Sequence, residues 1–260
     1  MTASANGFVV NQLGVKVADQ RLLQGIDYAF QPGRITAIIG TNGAGKSTLL
    51  HCLSGDLLPS EGEVCFQGRP LTQWPIPELA EYRSVLTQGI DFAFPFTVSE
   101  VVALGLESGN LSNSQREQRL QALLDDFDLG ALKDHSYLTL SGGEKQRVQL
   151  ARVFAQLSPE RFDQSWLLLD EWSEGLDLKH QKQVGQQIRQ LADRGVGVVM
   201  ILHDLQLVSQ WADECLGLQR GRLLAKGLVS EVLQSETLSQ LFEVPIEVSY
   251  PHGRICIQVK

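Results

Sequence analysis

Eight consecutive residues, Gly40-Thr41-Asn42-Gly43-Ala44-Gly45-Lys46-Ser47, constrain this chain more than any other stretch. Before them, Ile35-Thr36-Ala37-Ile38-Ile39 reads as a buried strand; after them, the apolar spacing from Lys46 to Leu53 predicts a helix that stops at Gly55. A glycine-rich turn feeding a helix leaves unpaired backbone N–H groups at the positive end of the helix dipole. The glycines let the backbone wrap closely around phosphate oxygens. Lys46 is spaced to reach the β and γ phosphates and the Ser47 hydroxyl to ligate Mg²⁺, so Gly40 to Thr48 predicts a nucleoside triphosphate site. The bland alternative is a glycine-rich turn with no ligand.

At 260 residues the chain can bury a substantial core, as one large domain or a domain with a subdomain. A net charge of −8 argues against a nucleic-acid partner, which normally meets a basic face. No apolar run approaches the ~20 residues that span a bilayer, and Met1 to Asn6 lacks a basic-then-apolar targeting pattern, so a cytoplasmic chain is expected. Cys52, Cys65, Cys215 and Cys256 are scattered without metal-ligand spacing and read as reduced core residues. Extended runs at Gly7 to Val17 and Leu22 to Phe30 open the chain. Turn residues between Leu57 and Pro77 punctuate small β elements. Helical periodicity occupies Glu100 to Leu157, with loops around Ser108 to Ser114 and Lys133 to Leu140. Trp166 to Leu169 and Val196 to Leu202 then read as strands flanking a helix, Leu178 to Arg194, whose Val184, Ile188 and Leu191 share a face. The fold class is α/β, a core interrupted by a helical insertion, and the tail from Val244 to Lys260 reads as a small terminal β unit.

Two further constellations bear on chemistry. Trp166-Leu167-Leu168-Leu169-Asp170-Glu171 is an apolar strand ending in two acids, and strand ends in open α/β sheets are where ligands bind. Asp170 is placed to hold Mg²⁺ opposite Ser47, and Glu171 to polarise the water that attacks a γ-phosphate. Taken alone, such a pair is a strand end with solvated acids. Leu140-Ser141-Gly142-Gly143-Glu144-Lys145-Gln146-Arg147 opens a helix in which Ser141 and Glu144 have capping-box spacing. Two glycines after the cap strip side chains from the first turn, which leaves either a well-capped helix start or a second anion site.

Leu140 to Arg147 resembles the signature of ATP-binding-cassette ATPases. The phosphate loop, Asp170-Glu171 and a later His203-Asp204 follow in that family's order, so the resemblance spans essentially the whole chain. It implies a P-loop core with a mainly parallel sheet and a small antiparallel β subdomain, over 1–86 and 160–260, and a helical subdomain at 87–159 carrying the signature. It also implies a head-to-tail homodimer in which Ser141, Gly142 and Gly143 act in trans on the γ-phosphate held by the other copy. Gln88 resembles the glutamine that reaches Mg²⁺ and the attacking water. His203 resembles the switch histidine and Asp177 the loop that speaks across the dimer interface, although a lone histidine at a strand end is also a structural residue and Asp177 a helix cap.

This sequence departs from the family where Trp172 replaces the usual proline after Asp-Glu and where Glu174-Gly175 replaces small residues before Leu176-Asp177. The aromatic that stacks on adenine is replaced by Val17, so base selectivity, GTP included, stays open. Gly68 to Trp74, Phe94 to Gly105 and Val148 to Arg152 resemble the importers for haem, with ferric siderophore and cobalamin importers close behind. That resemblance implies an ATPase at the cytoplasmic face of the inner membrane. Its partners would be two integral-membrane permease subunits and, indirectly, a substrate-binding protein, and its cofactors ATP and Mg²⁺. The aromatic segment Ile90 to Val98 either packs into the insertion or forms a groove for a permease helix. A soluble assembly ATPase of the iron–sulfur type and a non-hydrolysing regulatory module remain the other classes.

Overall fold

The computed structural model describes residues 7–87, 89, 92, 94–107, 111–249, 251 and 255–260. Gln88, for which a catalytic role is expected, lies outside them, as do Ile90, Asp91 and Ala93. In chain order the strands are β1 (Phe8–Val17), β2 (Gln20–Ala29), β3 (Ile35–Ile39), β4 (Glu61–Phe66), β5 (Arg69–Pro70), β6 (Arg83–Leu86), β7 (Trp166–Asp170), β8 (Gly197–Ile201), β9 (Glu214–Gln219), β10 (Arg222–Leu228), β11 (Ile246–Ser249) and β12 (Cys256–Val259). The α-helices are α1 (Lys46–Ser54), α2 (Ile76–Ala80), α3 (Val98–Leu104), α4 (Asn113–Asp126), α5 (Gly142–Ala155), α6 (Leu178–Asp193), α7 (Leu205–Trp211), α8 (Val229–Val232) and α9 (Ser235–Phe242).

Strands β10-β9-β3-β8-β7-β6 form the central sheet, parallel except where β9 and β10 make an antiparallel hairpin. Strands β3, β7 and β8 are buried along their whole length, as parallel strands covered on both faces must be. Successive side chains leave a strand on opposite faces. Accordingly Ile35, Ala37, Ile39, Leu167, Leu169, Val198 and Met200 join one apolar cluster, with α5 and α6. Ile38, Leu168, Val199 and Ile201 join the other, with α1 and the antiparallel sheet β2-β1-β4-β5. Trp166 seals that second cluster, its ring 5.0 Å from Phe8, which lies 4.7 Å from Phe66. Helices α3, α4 and α5 pack on one another between β6 and β7 in sequence, where helical periodicity predicts an insertion.

Asp213, just before β9, ties three elements together. Its carboxylate accepts the Ile35 N–H at 2.8 Å and two bonds from the Arg189 guanidinium at 2.8 and 3.0 Å. Burial alone would raise the Asp213 pKa, but the bonds from Arg189 and Ile35 outweigh it and hold the carboxyl below its ordinary value. A carboxyl with a depressed folded pKa contributes stability that is complete above its unfolded pKa and is lost as pH falls through the folded one. We therefore expect Asp213→Asn to be less stable than the parent at neutral pH, with the gap closing as the pH drops below the ordinary carboxyl value of 3.8, in paired urea titrations.

The reading of the cysteines needs correction at one position. Cys52 and Cys215 are buried and Cys65 is half-buried, but Cys256 is exposed on β12, where Ile255 and Ile257 on either side pack against the core and strand alternation turns Cys256 to the other face. All four are free thiols.

Candidate functional site

Because β3, β7 and β8 run parallel in matched register, with Ile38 and Asp170 both paired to Ile201, their C-terminal ends stand side by side. The chain leaves those ends as the phosphate loop, as Glu171 and as His203. Residues far apart in sequence thus meet at one edge, the expected place for a ligand.

The loop from Gly40 to Gly45 requires its glycines. Gly40 has φ 149°, and a Cβ there would stand 2.1 Å from the Leu218 carbonyl oxygen on β9. Gly45, at φ 101°, caps α1 in a left-handed conformation. Lys46 is buried, and its Nζ donates to the carbonyls of Gly40 and Thr41 at 3.0 Å each, so the ammonium lies across the loop mouth. Burial lowers the Lys46 pKa, against the opposing pull of Glu171 and Asp170.

Asp170 is buried at the end of β7 and its Oδ1 has no partner. Burial raises its pKa, a hydrogen bond with Ser47 works the other way, and the Glu171 charge raises it further. A buried carboxylate oxygen without a partner, beside a serine hydroxyl and at the foot of a phosphate loop, suits a hard cation. Mg²⁺ takes one or two protein oxygens and completes its shell with water and phosphate. Among the described residues no cluster of three or more His, Cys, Asp or Glu forms an all-protein metal cage.

Glu171 occupies a left-handed conformation, φ 51°, one that costs a non-glycine residue energy and persists only where surroundings enforce it. Its N–H bonds the Ile201 carbonyl at 3.2 Å, and its Oε1 lies 2.5 Å from His203 Nε2. The next residue anchors the turn: Trp172 has no exposed surface and belongs to the main apolar cluster. Where the family places proline, this chain fixes the turn by burying an indole. Removing a buried tryptophan side chain costs about 3–5 kcal/mol, so Trp172→Ala should lower the urea midpoint of unfolding sharply. An unchanged midpoint would show that the indole is not an anchor.

The signature residues form a second group. Ser141 caps α5 through a complete capping box, Glu144 accepting from its N–H at 2.8 Å and its hydroxyl at 2.7 Å. Gly142 faces open space, whereas a Cβ on Gly143 would stand 2.5 Å from the Gly175 carbonyl oxygen. Asp177 caps α6, accepting from the His180 N–H at 2.9 Å. The described residues thus bring Lys46, Ser47, Asp170, Glu171 and His203 together at the strand ends, while the signature glycines meet Gly175 of the loop that runs from Glu171 to Asp177. Sequence reasoning passed over Gln146, whose amide donates to the Trp172 carbonyl at 3.0 Å, and Gln181, which donates to the Leu176 carbonyl at 3.1 Å. The available signal was a pair of long amide side chains near the starts of α5 and α6.

Val17 is exposed and offers no aromatic face to a base. In the aromatic segment the described residues differ. Phe92 and Phe96 pack edge-to-face, with Phe92 5.1 Å from Tyr137, while Phe94 is 68% exposed.

A family model described as ABC transporter matches residues 23–174. The hemin import ATP-binding protein HmuV of Escherichia coli O157:H7 is 41% identical over 88% of this chain and 89% of its own length. Its namesake in Rhizobium meliloti is 40% identical over 92% of both chains. The chain belongs to the ABC transporter family. Its fold is that of known ABC ATPases. The solved ATP-binding subunit of an ABC transporter superposes with a TM-score of 0.78 at 24% identity, covering 87% of this chain and 91% of that one. A dimeric ATP-binding cassette, MJ0796 bound to ADP and Pi, superposes with a TM-score of 0.75 at 24% identity, over 85% and 98%. This ABC ATPase binds ATP, and the phosphate loop supplies the N–H groups and cation such binding needs. Among its described residues no helix is long and apolar enough to cross a membrane.

Proposed function

We propose that this ABC ATPase drives the uptake of hemin through a membrane permease, as one of two identical subunits on the cytoplasmic face of the inner membrane. The observation that carries this reading is identity of about 40% over about nine-tenths of the chain to proteins named for hemin import. Two permease subunits and a substrate-binding protein that delivers cargo to them complete the assembly. Phe94, Leu104 and Leu138 are exposed apolar side chains of the helical insertion that support docking to the permease. The subdomain division follows the same reading: a core of 1–86 and 160–260, and a helical part of 87–159 that moves against it.

ATP lies on the backbone of Gly40 to Thr48, with Lys46 turned from the loop carbonyls to the β and γ phosphates. Ser47, Asp170 and Gln88 would hold Mg²⁺, which when bound offsets phosphate charge. The second copy brings the turn of Ser141, Gly142 and Gly143, with the N–H groups of the two glycines and the positive end of α5, over the γ-phosphate; a solved cassette of the same fold is dimeric. Asp177 contacts the partner copy beside them. Glu171 accepts the proton of the attacking water, Gln88 helps to orient that water, and His203 holds both the Glu171 carboxylate and the γ-phosphate. Phosphoryl transfer needs positioning and charge compensation more than covalent chemistry, which is what backbone amides, one lysine and a carboxylate–imidazole pair supply.

The reading is tested by purifying tagged Glu171→Gln from mildly solubilised cells with ATP present and identifying what accompanies it. A stoichiometric polytopic membrane protein is expected. Recovery of the chain alone, or with soluble partners, would replace the importer with an assembly ATPase.

A further inference from the structure

We infer that Gln146 is a positioning residue for ATP hydrolysis, holding the turn that aims Glu171. The inference deepens the proposed mechanism and rests on Glu171 being the base.

Glu171 needs its φ of 51° to place Oε1 against His203, and nothing intrinsic to glutamate favours that conformation. On one side the turn is tied to the central sheet, the Glu171 N–H bonding the Ile201 carbonyl at 3.2 Å. On the other, the Gln146 Nε2 donates to the Trp172 carbonyl at 3.0 Å and reaches the Glu171 carbonyl at 3.5 Å. The Glu171–Trp172 pair is therefore held between β8, through the Glu171 N–H, and α5, through the Trp172 carbonyl. The turn also closes on itself through the Glu174 N–H to the Glu171 carbonyl at 3.1 Å, and the Gln146 amide is the tie that fixes it to α5. The buried Trp172 indole anchors the same turn from the core, and the Gln146 amide adds a directional bond at the Trp172 carbonyl.

Gln146 sits one turn into α5, the helix that begins with Ser141, Gly142 and Gly143. Further along the same loop, the Gly175 carbonyl abuts Gly143 so closely that a Cβ there would stand 2.5 Å away. The start of α5 thus meets the Glu171–Asp177 loop at two points: Gln146 at the loop's beginning and Gly143 near its end. A shift of the signature turn by a second copy's nucleotide would be passed through Gln146 to the carboxylate of this copy's own site. Gln146 acts through Glu171, so its removal should slow the chemical step and leave nucleotide binding intact.

The test uses the full-length chain and three variants. Gln146→Leu keeps much of the side-chain bulk and removes the donor, Gln146→Glu keeps the shape and sets an acceptor against the carbonyl, and Glu171→Gln is the reference. ATP turnover is measured against ATP concentration, and binding of a fluorescent ATP analogue is measured in EDTA. A misplaced catalytic group costs roughly 10- to 100-fold in rate. We expect a kcat loss of that order in both Gln146 variants, with KM and analogue affinity within about twofold of the parent. The inference is overturned if Gln146→Leu and Gln146→Glu turn over at the parental rate while Glu171→Gln is inactive. It is equally overturned if rate, affinity and melting temperature fall together, which marks a merely structural residue. Parental turnover by Glu171→Gln would instead remove the base on which the inference rests.

Discussion

Glu171→Gln should bind ATP with parental affinity, lose turnover by a factor of at least about 100, and accumulate as an ATP-loaded dimer. The substitution preserves side-chain length and the ability to meet His203, whose Nε2 is 2.5 Å from the present carboxylate. It removes the capacity to take a proton from water. General-base catalysis is worth roughly 10²–10⁴ in rate, and closure depends on the γ-phosphate, which the variant cannot remove. Size-exclusion chromatography with and without ATP, beside a phosphate-release assay, reads both effects. Parental turnover would sink the assignment of the base, and an inactive variant that stays monomeric with ATP would sink the trans arrangement of the signature.

Lys46→Ala should fail for a different reason, and its stability should reveal which. The Lys46 ammonium is buried, hydrogen-bonded to two loop carbonyls, and desolvated enough for its pKa to fall. A cation held at that cost serves a ligand better than a fold. A hydrogen bond to a charged partner is worth about 1.5–3 kcal/mol, or roughly 10- to 100-fold in ATP affinity. In thermal melts without nucleotide the variant should be as stable as the parent or more so. With ATP it should lose most of the upward shift that ligand binding confers on the parent. A large loss of stability without nucleotide would mean that the lysine serves the fold first.

The parts legible in the sequence were those set by local rules. The phosphate loop, the strand ending at Asp170 and the capped start of α5 each follow from periodicity or cap chemistry within about a dozen residues. The capping box and the stop of α1 at Gly55 stand where the residues placed them. What escaped depends on distant contacts. The hairpin β9–β10 and helices α7 to α9 are short elements whose packing, not pattern, defines them. Gln146 and Asp213 act across 26 and 178 residues of chain, a reach that one-dimensional spacing does not encode. Trp172 shows the same limit, because its identity told only that a usual proline was missing. Burial shows how the turn is fixed without one.

The central claim, that this chain supplies ATP hydrolysis for hemin uptake, is tested most directly in cells lacking it, by their accumulation of labelled hemin. Restoring the parental chain should restore uptake, and restoring Glu171→Gln to the same protein level should not. Uptake that is the same with the parental chain, with Glu171→Gln and with no chain at all would contradict the claim and leave an ABC ATPase with another task.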